Sequence, residues 1–206
     1  MASHDNDHLD AVYAAKGPQD IARLYDDWAG SYDADMAKAG YRHPAIATAL
    51  LARHLPKGAA PILDAGAGTG LVGEWLGILG YPEVEALDIS AGMLAVARAK
   101  GVYQALHIAL LGGDLPVPKR HFAGVVCAGV LTTGHVGAEA LPGLLAVTRP
   151  GGVLVLTVKE TLWADSFAAA VTGAPEAQVV EATEPYISMP GETGATPSRA
   201  VVLART

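Results

Sequence analysis

Cysteine is nearly absent. The 206-residue chain has one, Cys127, which excludes an intramolecular disulfide and a cysteine-rich metal site. A cytoplasmic setting is the matching expectation. Aromatic residues make up only 6%, which favours close packing of small side chains over a large aromatic ligand cage. Basic residues are scarce as well: 14 Lys and Arg against 21 Asp and Glu give a formal charge of −7. That sign offers phosphate backbones and anionic membranes no attraction, so neither nucleic acid nor membrane is an expected partner. No apolar run approaches the ~20 residues that span a bilayer. The opening MASHDNDHLD is polar and acidic and lacks the basic and apolar regions of a leader, so residues 1–17 are expected to be frayed. The spacing of His4 and His8 does not by itself make a metal site. No His, Cys, Asp and Glu set converges at ligand spacing, and no metal is expected.

What is present suits a single folded domain over residues 1–206. Half the chain is apolar (51%), enough to bury a core. Over residues 18–38, Ile21, Leu24, Tyr25, Trp28, Tyr32 and Met36 recur at helical spacing, which predicts one helix. A second helix starts near Pro44, a residue suited to a first helical turn, and runs to His54. Residues 18–57 therefore read as helices packed on one end of the fold. From residue 61 short β-type runs alternate with helices: strands at 62–64, 84–88, 105–110, 124–127 and 153–158, with helices at 71–79, 91–100, 141–147 and 162–171 between and after them. Pro150, Gly151 and Gly152 read as a turn. Two β-like runs, 178–183 and 199–204, close the chain. Apolar strands alternating with helices predict a doubly wound α/β fold, with a mostly parallel sheet buried on both faces.

The most informative segment is Asp64-Ala65-Gly66-Ala67-Gly68-Thr69-Gly70, just after a strand and opening a helix. Glycines permit the tight turn and remove side chains where backbone meets a ligand. Asp88 ends the next strand, eighteen residues beyond Gly70, where a carboxylate can accept hydrogen bonds from two ribose hydroxyls. The same stretch also fits G-x-G-x-x-G at Gly68, Gly70 and Gly73, the dinucleotide fingerprint.

Four segments carry a resemblance. They are LDAGAGTG (63–70), ALDIS followed by Met93, CAGVLTTGHV (127–136) and TRPGGVLVLTV (148–158). With YDDWAGSYD and YRHP upstream, the chain resembles the class I methyltransferases that use S-adenosylmethionine (SAM), and most closely the Williams–Beuren region methyltransferase-like family. The resemblance implies a seven-stranded sheet whose last strand is antiparallel, SAM as cofactor and S-adenosylhomocysteine as product. It places Asp64, Gly66, Gly68 and Gly70 at the methionine portion and ribose, with Asp88 and its neighbour Ile89 at the ribose hydroxyls. Met93, Leu110, Leu111 and Ala128 would lie around the rest of the nucleoside. It makes residues 18–57 a helical lid, from which Tyr25, Tyr32 and Tyr41 would come down at the methionine end. One departure stands out. Many relatives carry an acidic residue after strand three, where HIALLGGDL puts Leu110 and Leu111. Either backbone and apolar contacts hold the adenine, the favoured reading, or Asp114 reaches back from three residues further on.

Methyl transfer needs a nucleophile in line with the activated carbon, so proximity accounts for much of the rate. A base is needed only for an acceptor that arrives protonated. His135, in TTGHV, and His43, in YRHP, are the candidate bases. Thr132 and Thr133 are candidates to orient an acceptor. Lys159 and Glu160 either line its pocket or, the favoured reading, form a solvated pair at a strand end. Cys127 reads as a buried structural thiol. A compact chain of this kind points to a small-molecule methyl acceptor, and the oligomeric state is not legible. The rivals are an NAD(P)-dependent oxidoreductase, weakened by the missing Tyr-x-x-x-Lys pair, and a SAM-binding protein that performs no reaction.

Overall fold

The computed structural model describes residues 7–132 and 136–206. Four helices come first: α1 (Asp7–Tyr13), α2 (Pro18–Trp28), α3 (Tyr32–Ala39) and α4 (His43–His54). Strands and helices then alternate as β1 (Ile62–Ala65), α5 (Leu71–Leu79), β2 (Val84–Asp88), α6 (Ala91–Ala99), β3 (Ala105–Ile108), β4 (Phe122–Leu131), α7 (Ala140–Val147) and β5 (Thr148–Lys159). A short helix α8 (Glu160–Leu162), a π-helical turn (Trp163–Phe167) and α9 (Ala168–Thr172) lead to β6 (Ala177–Ala182) and β7 (Ser198–Arg205).

The seven strands form one sheet in the order β3-β2-β1-β4-β5-β7-β6. All neighbours are parallel except at β7, which runs antiparallel to both β5 and β6. This is the expected doubly wound sheet with its last strand reversed. Its two faces carry separate apolar cores. Leu63, Val125, Leu154 and Leu203 pack against α7, and Ile62, Val126, Val155 and Val202 pack against α4 and α5. Strand order reverses between β1 and β4, so a crevice opens beyond their carboxyl ends.

Three expectations are corrected. The helix expected over 18–38 is two, broken at Ala29–Ser31. Gly30 weakens the helix there, and the Asp35 carboxylate gathers the Trp28 indole N–H at 2.9 Å and the Ser31 hydroxyl at 3.0 Å. The stretch expected to be frayed contains α1, because Val12 buries itself in a small third core with Trp28, Met36 and Met189. His8 stacks on Trp28 at 5.2 Å. Finally, Pro150-Gly151-Gly152 lies inside β5. Two steps along β4, Phe122 to Gly124, face five along β5, Thr148 to Val153, so the turn chemistry makes a bulge rather than a strand end.

Candidate active site

The crevice is built by the glycine loop. Gly66 and Gly68 adopt positive φ, +79° and +53°, and turn the chain from β1 into α5. The Gly66 and Ala67 N–H groups bond the Leu87 carbonyl, which ties the loop to β2. Asp88, at the end of β2, then accepts the Gly68 N–H at 2.8 Å and the Ser90 N–H at 2.9 Å. Burial raises its carboxyl above the ordinary range, and those N–H bonds oppose the rise. The Ile89 N–H adds a third backbone bond, and the two carboxylate oxygens, with about four acceptor sites between them, retain some acceptor capacity.

A second irregularity completes the floor. Between Cys127 and Leu131, β4 advances four residues while β5 advances two. The bulge turns Ala128, Gly129 and Val130 into the crevice. The Gly129 N–H bonds Thr157 Oγ1 at 2.8 Å. A Cβ at Gly129 would lie 1.8 Å from the Tyr41 hydroxyl, and one at Gly66 would lie 2.2 Å from Val130 Cγ2, so both glycines allow contacts no other residue permits.

The N-terminal helices form the roof and are tied down by two acids. Asp26 accepts the Ser90 hydroxyl at 2.6 Å and the Gly92 N–H at 2.7 Å, at the start of α6. Asp33 accepts the Thr69 hydroxyl at 2.5 Å and pairs with Lys100 at 2.7 Å. Tyr25, Tyr32 and Tyr41 thereby face the glycine loop. Burial pushes all three phenols up, so they are neutral hydroxyls.

About 1090 Å³ of empty space, open solvent at the mouth included, lies between the walls of the resulting cleft. The tyrosines, Gly66 and Gly68 line one end; Asp88, Ile89, Met93, Leu110, Leu111 and Ala128 line the remainder. A Cβ at Gly68 would meet no protein atom within 4 Å, so the space beside it belongs to the cleft. Asp114 is 98% exposed and lies 3.8 Å from Lys119, off the cleft wall.

Two expected contacts are placed elsewhere. Asp64 is fully buried behind the loop, where its Oδ2 accepts the Tyr103 hydroxyl at 2.5 Å and its Oδ1 has no hydrogen-bond partner. Burial pushes this carboxyl up to about 7, against the Tyr103 bond. Gly70 faces the same tyrosine: a Cβ there would lie 3.0 Å from the ring. At Gly73 a Cβ would lie 2.3 Å from it, and the Gly73 N–H bonds its hydroxyl at 3.1 Å. The second and third glycines of the dinucleotide pattern thus accommodate Tyr103, which removes that pattern as support for an oxidoreductase.

A smaller cavity adjoins the cleft, with about 480 Å³ of empty space between its walls, open solvent included. Tyr25, Tyr32, Tyr41 and Gly129 line both and form their boundary. His43 lies on its wall, 4% exposed, with Nδ1 2.8 Å from the Tyr186 hydroxyl. Burial and the nearby Lys159 charge push its imidazole down to about 3. Thr132 lines this cavity too, whereas Thr133 and His135 lie outside the described residues. The expectation of a solvated Lys159–Glu160 pair is corrected. Lys159 is buried on the cavity wall, while Glu160 is engaged by Arg199 at 2.5 and 2.9 Å. Cys127 is buried, and burial pushes its thiol up.

The comparisons with known proteins decide the family. A family model described as "Methyltransferase domain" matches residues 62–152. Human methyltransferase-like protein 27 is 42% identical over 154 residues, 72% of this chain and 62% of that protein. The chain belongs to the class I SAM-dependent methyltransferases. It spans between about half and two thirds of the length of the curated relatives it matches. Among solved structures, a TehB-like SAM-dependent methyltransferase from Corynebacterium glutamicum superimposes with a TM-score of 0.64 at 22% identity, covering 88% of this chain and 98% of the other. The Burkholderia thailandensis 1,6-didemethyltoxoflavin-N1-methyltransferase, with bound S-adenosylhomocysteine, gives 0.63 at 21% identity, covering 93% and 91%. In this chain the residues fit the nucleoside: open space at Gly68, acceptor capacity on Asp88, and apolar walls at Met93 and Leu111.

The sequence did not point to Asp26, Asp33, Tyr103 or Gly129, whose roles depend on contacts between distant segments. A signal existed for Gly129 alone, as a glycine inside an apolar strand, which marks a bulge.

Proposed function

We propose that this methyltransferase transfers the methyl group of SAM to a small-molecule acceptor, with SAM in the larger cleft and the acceptor in the adjoining cavity. The observation that carries this reading is the shared boundary of Tyr25, Tyr32, Tyr41 and Gly129, which sets the two volumes wall to wall. SAM, when bound, supplies a methyl group activated on a positively charged sulfur. Asp88 holds the ribose hydroxyls, and Met93, Leu110 and Leu111 enclose the adenine without an acidic partner. The neutral rings of the three tyrosines suit a cation by their π faces, worth about 0.5–2 kcal/mol. The N-terminal helices act as a lid that keeps water from the reacting centre.

His43 acts by position rather than as a base. An imidazole that binds a proton only near pH 3 is a poor proton acceptor at neutrality; its task is to join α4 to the segment before β7 through the Tyr186 hydroxyl. Methyl transfer is then a matter of alignment. Relatives support a small acceptor: one is a dTDP-3-amino-3,6-dideoxy-alpha-D-glucopyranose N,N-dimethyltransferase from Streptomyces fradiae, 34% identical, and the toxoflavin-precursor enzyme above is a structural neighbour.

Incubating the protein with methyl-deuterated SAM and a metabolite extract tests the reading. A labelled product in the small-molecule fraction, with S-adenosylhomocysteine formed in equal amount, is expected. Label confined to macromolecules contradicts the small acceptor, and absence of S-adenosylhomocysteine contradicts methyl transfer.

A further inference from the structure

The smaller cavity holds a charge that its own walls do not answer. Lys159, the last residue of β5, is nine-tenths buried there. Its ammonium donates one bond, to the Thr196 carbonyl at 3.0 Å. An ammonium has three N–H donors. Among the described residues no carboxylate lies within ion-pair distance of it, and the adjacent Glu160 is committed to Arg199. The other titratable groups on the cavity wall are Tyr13, Tyr25, Tyr32, Tyr41 and His43, none of them an acid at neutral pH. A buried cation without a counter-charge is costly to keep.

A second group points the same way. Ser188 is fully buried on the same wall, and its hydroxyl has no hydrogen-bond partner. A free hydroxyl donor and a free ammonium donor on one small cavity form a site for an oxyanion. The remaining walls, Leu9, Met36, Leu131 and Met189 with the tyrosine rings, are apolar or aromatic.

We propose that the methyl acceptor is a small aromatic or aliphatic acid, bound as its anion with the carboxylate on Lys159 and Ser188 and its apolar body against the tyrosines; a second nucleophilic atom on that body, an amine or hydroxyl, forms the bond to the methyl carbon as the carbon–sulfur bond breaks, S-adenosylhomocysteine leaves and the nucleophile's proton passes to water. This rests on the assignment of the cavity to the acceptor. It goes further in naming the acceptor's chemical class and the two side chains that select it. Neutral analogues leave the ammonium and hydroxyl unanswered and are rejected for that reason.

The test keeps the two readings apart. Calorimetry with S-adenosylhomocysteine alone tests the cofactor cleft. Ligand-observed NMR then screens matched pairs of carboxylic acids and primary amides, benzoate with benzamide and phenylacetate with phenylacetamide among them, with and without S-adenosylhomocysteine. Acids are expected to bind at least about tenfold tighter than their amides. Lys159→Met keeps the length of the side chain and needs no counter-charge. It is expected to erase that preference while binding S-adenosylhomocysteine as the wild type does. Ser188→Ala, a smaller change, is expected to weaken the acids about threefold to tenfold and leave the amides unaffected. Amides that bind as well as acids, a panel in which no acid binds, or a Lys159→Met protein that keeps the preference would each overturn the assignment.

Discussion

Asp88 has two duties, one to the loop and one to the ligand, and substitutions separate them. Asp88→Ala should weaken S-adenosylhomocysteine by about 1.5–3 kcal/mol, roughly 10- to 150-fold, in a calorimetric titration. Unchanged affinity would place the ribose elsewhere. Gly68→Ala asks a different question. The new methyl meets no protein atom, so the cost to folding is the strain of positive φ, about 1–2 kcal/mol. Ligand binding should fall by more than about tenfold, because the methyl projects into ligand space; a folded variant with wild-type affinity contradicts the loop assignment. His43 adds a pH signature. Its folded pKa is depressed from 6.5 to about 3, so the unfolded chain takes up the proton first as pH falls. Stability from this residue is complete above pH 6.5 and is lost as pH drops toward 3. Between pH 7 and pH 5 the wild type should lose about 2 kcal/mol more than His43→Gln, measured by denaturant titration. Asp64, raised to about 7, works in the opposite direction but is present in both proteins and cancels. Equal losses would mean that His43 titrates normally.

At the scale of elements, the roof over the cleft is held by contacts that apolar periodicity does not report. Spacing in residues 18–38 marks the buried stripe correctly through Trp28 and Met36. It could not show the break at Ala29–Ser31, because the carboxylate that stabilises it, Asp35, acts through side-chain hydrogen bonds. Asp26 and Asp33 read as the solvated side of the helix, yet they are the latches to α6, Thr69 and Lys100. Cutting one latch should loosen the roof without unfolding the sheet. Asp33→Ala is expected to speed S-adenosylhomocysteine release about fivefold to twentyfold, the equivalent of about 1–2 kcal/mol, and to raise amide exchange in α2 and α3. A release rate equal to wild type would show that the helices do not gate the cleft.

At the scale of the molecule, the alternation of apolar runs with helices was enough to read a mostly parallel doubly wound sheet, whereas the reversed last strand came from the family resemblance and not from local pattern. The central strands β1, β4 and β5 are largely buried, so their apolar runs and the fold agree. The glycine loop and Asp88 were legible for the same reason, since a strand-to-helix turn and a strand end are local events. The cavity with Lys159 and Ser188 was not. It is assembled from β4, β5, α1, α3 and the segment before β7, and no spacing along the chain links them. A crystal structure grown with S-adenosylhomocysteine tests the central claim most directly. The account predicts the nucleoside lying against Gly66 and Gly68, both ribose hydroxyls bonded to Asp88, and the thioether sulfur facing the Tyr25, Tyr32 and Tyr41 rings. A ligand lodged outside this cleft, or a cleft occupied by the protein's own side chains, would contradict it.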